Sequence, residues 1–178
     1  VNGVIHGSKF GFLEATTETE KMISSNNLNT IVIVSQHNSH AGFVIKALKA
    51  NKNIFVEKPL ALDHNEIHEI EDAAEWASKK YGSKPRIMVG FNRRFSPQVQ
   101  KMKSLISSEK EPKSFIMTMN AGSIPKEHWI QDKSLGGGRI IGEACHYIDL
   151  MRFLAGSKIC SVQARRIGNV KSVEIHED

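Results

Sequence analysis

The sequence predicts an α/β fold, a doubly wound parallel sheet giving way to a second, more open sheet. Three observations carry this reading. Apolar, β-branched runs alternate with helical patterns between residues 30 and 91, as buried parallel strands alternate with the helices that cover them. Each run ends in polar residues, at the carboxyl edge where such sheets bind ligands. From Ser96 onward the pattern changes to alternating apolar positions, which suit a half-exposed sheet.

The first strand is Thr30 to Ser35, "TIVIVS", continuously apolar and so predicted to be buried on both faces. Asn38 or Ser39 suits the cap of a helix from about Ala41 to Ala50, with Val44, Ile45 and Leu48 on one side. Asn53 to Val56 is the second strand. Asp63 and Glu66 have capping-box spacing ahead of a long helix with Ile67, Ile70, Ala74 and Ala77 inward, stopped at Gly82. Arg86 to Phe91 is the third strand. Ser96 can cap, and Pro97 can open, a helix carrying Val99, Met102, Leu105 and Ile106.

Beyond it, "SFIMTMNAG" alternates Phe115, Met117 and Met119 with Ile116, Thr118 and Asn120, a strand of a second sheet. A long loop through Gly136-Gly137-Gly138 feeds a helix from about Ile140 to Ala155, closed by Gly156. That helix is apolar around most of its circumference, which predicts burial. "ICSVQARRI" and "KSVEIH" read as further strands. The domain boundary falls near Phe95.

Composition narrows the function. With 178 residues and 40% apolar content, the chain can bury one good core or two small ones. Two cysteines are too few for a disulfide framework, and with six methionines they point to a reducing, cytoplasmic setting. No apolar run approaches the ~18 residues of a membrane span. The first residues lack the charged and apolar regions of a signal peptide. They also lack an initiating methionine, which points to a fragment of something longer. The net charge of +5 is spread along the chain, with no basic and aromatic platform for nucleic acid. A scattered positive surface explains that charge, and attraction of a phosphate-bearing small molecule fits it as well. His37, His40, His64 and His68 have no acidic or thiol ligand to complete a metal set, so no metal is expected. The triple glycine follows no strand and has Ile141 where a dinucleotide fingerprint needs its last glycine, so it reads as a sharp loop.

Two residues stand out chemically. Lys58 ends the second strand in Glu57-Lys58-Pro59, where proline restricts its backbone and the Lys-Pro bond can be cis. Its ammonium can bind a substrate hydroxyl, or it can simply be a solvated charge on a turn. His146 shares a helix face with Glu143 and has Asp149 three residues beyond. It is suited to taking a proton from an alcohol, or to a core role bonded to a carbonyl or to Asp149.

The stretches "IFVEKPLAL", "VGFNRRFSP" and "GGGRIIGEACHYIDLMRFLAG", in this order, closely resemble the glucose-fructose oxidoreductase and inositol dehydrogenase family (Gfo/Idh/MocA). The resemblance covers nearly the whole chain. The segment "NAGSIPKEHWIQDKSLGGGRIIGEACHYIDL" is similar to a branch found in polysaccharide-synthesis clusters, often fused behind a zinc-dependent alcohol dehydrogenase-like domain. The resemblance implies that residues 1–95 are the C-terminal part of an NAD(P)-binding Rossmann domain, a partial parallel sheet. Residues 96–178 are then the N-terminal part of an α+β substrate and dimerisation domain with an open, mostly antiparallel sheet. NAD or NADP would be the cofactor and a sugar the small-molecule substrate, in a dimer or tetramer formed through the second domain's sheet.

By the same resemblance, Lys58 and His146 are the catalytic pair. The cofactor would be lined by Ser35, Asn38, His40, Glu57, Lys58, Pro59, Asn92 and Arg93, and the substrate would meet Lys58, Arg93, Glu143 and His146. From the sequence itself, Trp129 beside the cofactor and Gln131 beside the substrate, in the loop before the triple glycine, either wall the pocket or simply pin the loop down. The implied activity is hydride transfer between nicotinamide and a sugar or nucleotide-sugar hydroxyl. A non-catalytic, dinucleotide- and sugar-binding regulator of the same fold is the alternative. Two departures stand out. The family's Gly-rich first turn and its NAD/NADP-discriminating acid would precede Val1, and the tail stops before the second sheet is complete, so an excerpt of a longer enzyme is expected. Many members carry an aspartate four residues before the histidine, where this chain has Gly142. Glu143 is adjacent but about 100° away around a helix, which leaves open whether it substitutes.

Overall fold

The computed structural model describes residues 2–165. Helices α1 (Asn2–Lys9) and α2 (Thr19–Ser24) precede the sheet. Strands β1 (Thr30–Ile33), β2 (Asn53–Val56) and β3 (Ile87–Val89) are parallel, in the order β1-β2-β3. Between them run α3 (His40–Lys49) and α4 (His64–Tyr81). Helices α5 (Pro97–Ile106) and α6 (Cys145–Ala155) follow.

The register explains the core. Ile31 pairs with Ile54 and Ile33 with Val56, so these four side chains share one face of the sheet. They pack with Val44, Ala47 and Leu48 of α3 and with Ile70 and Ala73 of α4. Leu48 is fully buried, and its truncation to alanine would cost about 2–5 kcal/mol. Because α3 and α4 both cover this face, the opposite one is open among the described residues, with Val32 62% and Met88 47% exposed. The apolar run of β1 predicted burial on both faces; here it is one-sided.

Helix ends follow local chemistry. Asp63 Oδ1 accepts from the Glu66 N–H at 2.9 Å, while the Glu66 carboxylate accepts from the Leu62 N–H at 2.6 Å. Gly82 and Gly156 close α4 and α6 in the left-handed conformation, at φ 67° and 75°, which glycine adopts without a Cβ penalty. Ser96 caps α5 and Pro97 opens it. The expected side-chain cap on α3 is not made. A 3₁₀ turn, His37–Ser39, runs into that helix, and the Ser39 hydroxyl bonds the Gln36 carbonyl instead.

Three expectations are corrected. Residues 114–122 form no strand. Phe115 and Met117 are half-buried while Ile116 is exposed, so the alternation survives, but no described segment lies alongside to supply ladder bonds. Residues 159–165 are likewise without regular structure, and "KSVEIH" lies outside the described residues. The second sheet therefore does not form among the described residues, and the parallel sheet carries the α/β fold. Lastly, α6 and the turn before it are not buried all round: Ile140, Ile141 and Ile148 are exposed.

Helices α1 and α2 had no counterpart in the sequence reading. Ile23 of α2 joins the core. Lys52, itself buried, ties the following loop down by donating to the Ser25 and Leu28 carbonyls, both at 2.7 Å.

Candidate active site

The carboxyl ends of β1 and β2 open into a cleft of about 480 Å³. Ser35, Gln36 and His37 form one wall, Glu57 and Lys58 another, and Trp129 closes it from the distal loop. The local backbone accounts for this. Glu57 N–H still donates to the Ile33 carbonyl at 2.9 Å, so pairing with β1 persists to the charged pair. The Lys58-Pro59 bond is cis, and the Pro59 carbonyl turns back toward the β1 end. There the fully buried His40 ring sits between the carbonyls of Pro59, 2.7 Å from Nδ1, and Ser35, 3.0 Å from Nε2. His40 was expected to line the cofactor. It is among the residues lining the cleft, at its buried back, with both ring nitrogens within hydrogen-bond distance of backbone carbonyls.

Lys58 reaches away from the sheet. Its Nζ donates to the Gly142 carbonyl at 2.6 Å, on a π-helical turn spanning Ile140–Ala144 that leads directly into α6. Single π turns inside helices recur at functional sites. Close packing fixes this one. A Cβ on Gly142 would lie 2.5 Å from Ile130 Cδ1, and one on Gly136 would lie 2.4 Å from Ile130 Cα. The triple glycine is thus a close-approach loop: Gly136 passes against the Ile130 backbone, and Gly137 and Gly138 take φ of 79° and 78°.

One turn further on stands His146. Its Nδ1 is buried without a hydrogen-bond partner, and its ring meets Phe91 edge-on with centroids 6.3 Å apart. Burial lowers its pKa from the ordinary 6.5, and the Lys58 and Arg93 charges lower it further, against the Glu57 and Asp149 carboxylates. Lys58 and His146 are therefore brought into electrostatic contact around one turn. Neither core role foreseen for this histidine is filled. Asp149, its neighbour on α6, is buried in a two-bonded ion pair with Arg94. Burial likewise pushes the adjacent Cys145 thiol up, which leaves it protonated and unreactive.

Glu143, a candidate substrate residue, already has a protein partner. Its carboxylate accepts from Arg139 Nε at 2.8 Å, and Arg139 in turn donates to the Gly122 carbonyl at 2.6 Å. Glu143 thus faces Arg139 one turn back, and the position of the missing aspartate is packed under Ile130.

The other expected residues scatter around this centre. Asn92 and Arg93 are exposed on a 3₁₀ turn after β3, Asn92–Phe95, with the Arg93 guanidinium 4.5 Å from the Tyr147 ring centroid. Asn38 faces the loop, its N–H donating to the Leu135 carbonyl at 3.2 Å. Gln131 closes the short turn after Trp129, its N–H donating to the His128 carbonyl at 2.9 Å. Among the described residues no cluster of three metal-ligating side chains occurs, and no helix is long and apolar enough to cross a membrane.

Sequence reasoning missed His37 as a site residue, having weighed it only as a metal ligand. Its Nδ1 donates to the Gly136 carbonyl at 2.9 Å, and its ring stands edge-on to Trp129 at 4.8 Å. The signal was its place in the polar run directly after β1.

The donor set fits a nicotinamide dinucleotide and a polyol. A strand-end cleft adjoins a lysine and a buried imidazole nitrogen with no protein partner, and an orphaned buried polar atom calls for a ligand.

Comparison with known proteins agrees. A model described as "Oxidoreductase family, NAD-binding Rossmann fold" matches residues 8–84, and one described as "GFO/IDH/MocA C-terminal domain" matches residues 99–177. The chain is 28% identical over 174 residues to scyllo-inositol 2-dehydrogenase (NAD(+)) of Bacillus subtilis, covering 96% of this chain and 48% of that one. It is 24% identical over 156 residues to myo-inositol 2-dehydrogenase of Thermotoga maritima, covering 88% and 45%. Among solved structures it is similar to levoglucosan dehydrogenase in complex with NADH and levoglucosan, with a TM-score of 0.67 and 26% identity, covering 87% of this chain and 42% of that one. The chain thus spans less than half the length of these relatives.

Proposed function

The chain belongs to the Gfo/Idh/MocA family of NAD-binding oxidoreductases, and from that membership we propose that its full protein oxidises or reduces a carbon bearing a sugar hydroxyl. One observation carries the reading: the buried, unpartnered Nδ1 of His146, on a helix whose preceding turn is held by Lys58. A nicotinamide dinucleotide, when bound, supplies the hydride acceptor or donor.

The chain's own part is acid–base and electrostatic. His146, kept neutral by burial and by neighbouring cations, accepts the hydroxyl proton as the C–O bond gains carbonyl character, and returns it in the reverse direction. Lys58 stabilises the negative charge that develops on that oxygen. Among the described residues its Nζ is anchored by one acceptor, the Gly142 carbonyl, so donors remain for a substrate oxygen. Ser35, Gln36, Glu57 and Trp129 line the cleft for the dinucleotide.

The finer form of the proposal is a cytoplasmic homo-oligomer acting on a sugar or nucleotide sugar in polysaccharide synthesis, with NAD or NADP. The net charge of +5 supports a phosphate-bearing ligand, and the long segment ending in "GEACHYIDL" supports that branch.

The test is spectrophotometric. The full protein is mixed with NAD+ or NADP+ and myo-inositol, scyllo-inositol, levoglucosan or nucleotide sugars, and the reduced-nicotinamide absorbance is followed. Sugar-dependent growth of that band is expected. Tight dinucleotide binding with no turnover across the panel would favour a regulatory protein.

A further inference from the structure

His37 is the buried cleft residue to which the proposed chemistry gives no task. Three contacts fix its ring. Nδ1 donates to the Gly136 carbonyl at 2.9 Å, Trp129 stands edge-on at 4.8 Å, and His40 lies behind at 5.7 Å. A carbonyl only accepts, so the proton of the neutral ring sits on Nδ1, and Nε2 is left as a lone-pair acceptor. No described group donates to Nε2, and it is not sealed from the cleft: among the described residues the sealed, unpartnered side-chain atom is His146 Nδ1. The residue lines the cleft while being only 7% exposed. An acceptor held this rigidly at the edge of a cleft calls for a ligand donor.

The cleft shows which ligand. Every lining residue except Trp129 lies within the segment matched as NAD-binding, residues 8–84, so the occupant is the dinucleotide. His37 also stands on the Lys58 side of the cleft: both residues line it, and a Cβ on Gly142, whose carbonyl Lys58 holds, would lie 3.3 Å from His37 Cε1. Burial lowers its pKa, and the Lys58 ammonium lowers it further, against the bond to Gly136. The same ammonium acts on His146. The part of the dinucleotide near both is the nicotinamide, whose one neutral N–H donor is its carboxamide.

We infer that His37 Nε2 accepts a hydrogen bond from the carboxamide N–H₂ of a bound nicotinamide dinucleotide, while Nδ1 holds the Gly-rich loop closed beside it. The inference rests on the oxidoreductase reading and deepens it. His37 becomes a cofactor-orienting residue that reads the carboxamide and joins the dinucleotide-binding segment to the distal loop.

Calorimetric titration of the full protein separates the outcomes. NAD+ is compared with 3-acetylpyridine adenine dinucleotide, in which a methyl ketone replaces the carboxamide and the pyridine ring carries no N–H donor. The wild type is expected to bind NAD+ roughly tenfold more tightly than the analogue. His37→Phe keeps the ring against Trp129 but removes both nitrogens, so it should bind both dinucleotides alike, each as weakly as the wild type binds the analogue. If thermal melting shows that His37→Phe does not fold, the wild-type pair decides alone. Equal wild-type affinities for the two dinucleotides overturn the inference, as does a folded His37→Phe that discriminates as strongly as the wild type. A wild type that binds neither these two dinucleotides nor NADP+ overturns the oxidoreductase reading and this inference with it.

Discussion

Lys58 and Gly142 are joined by a 2.6 Å hydrogen bond across 84 residues of sequence. The bond ties the end of β2 to the π turn that opens α6, and so carries the ammonium toward the turn on which His146 stands. The acceptor is a backbone carbonyl, which no substitution of side chain can remove. A carboxylate at this position would instead collide with Ile130.

If Lys58 and His146 act on one hydroxyl, each should be dispensable for folding and needed for rate. Lys58→Ala and His146→Ala are expected to lower kcat by roughly 10²–10⁴, the usual share of acid–base and charge-stabilising groups. Melting temperatures should stay close to that of the wild type. Steady-state kinetics with thermal melts checks this, and full activity in either variant removes that residue from the mechanism.

The pH profile has a definite sign. Burial first, then Lys58 and Arg93, hold His146 below 6.5. A proton acceptor must be neutral, so kcat/KM should fall as pH drops through that lowered value, placing the acid limb below 6.5. Arg93→Gln removes one lowering charge and should move the limb upward. A limb that stays put or moves down in the variant contradicts the assignment.

The Arg94–Asp149 pair fixes α6 against the turn after β3. Asp149 is buried, so Arg94→Ala leaves a charge without its partner and should destabilise the protein by about 3–5 kcal/mol. The double variant Arg94→Met, Asp149→Leu should recover much of that loss. Urea unfolding of the single and double variants measures the coupling, and additive effects would show that the pair does not act as a unit.

Ile130 and Gly142 should also behave as a pair. Gly142→Ala places a Cβ 2.5 Å from Ile130 Cδ1, an overpacking worth about 1–3 kcal/mol. Ile130→Ala should relieve it. Gly136→Ala has no such rescue, because its Cβ would meet the Ile130 backbone at 2.4 Å. Thermal melts of the three singles and the Ile130→Ala, Gly142→Ala double distinguish the two cases.

Local signals explain why much of this was legible in the sequence. Asp63, Gly82, Ser96, Pro97 and Gly156 act at helix ends through their own backbone or nearest neighbours, so spacing alone finds them. The register-defining runs of β1 and β2 were equally plain. What escaped depends on contacts between distant segments. Phe115 and Met117 keep a strand's alternation without a neighbour to pair with among the described residues, and a single chain's pattern cannot reveal whether one is present. His40 lines the cleft as the sequence reading expected, but its bond to the Pro59 carbonyl requires a turn that sequence does not display. Glu143 was paired with His146 by α-helical spacing, but the π turn and the guanidinium of Arg139 direct it elsewhere. His37 was overlooked because its partner, Gly136, lies 99 positions away.

The central claim is that one amine and one imidazole serve the same reacting oxygen. The most direct measurement is a crystal structure of the full protein with a reduced dinucleotide and a sugar that it turns over. The account predicts Lys58 Nζ and a His146 ring nitrogen each within ~2.6–3.2 Å of a single substrate hydroxyl. A sugar whose reacting carbon lies at the dinucleotide but whose hydroxyl reaches neither nitrogen, directly or through one water, would contradict it.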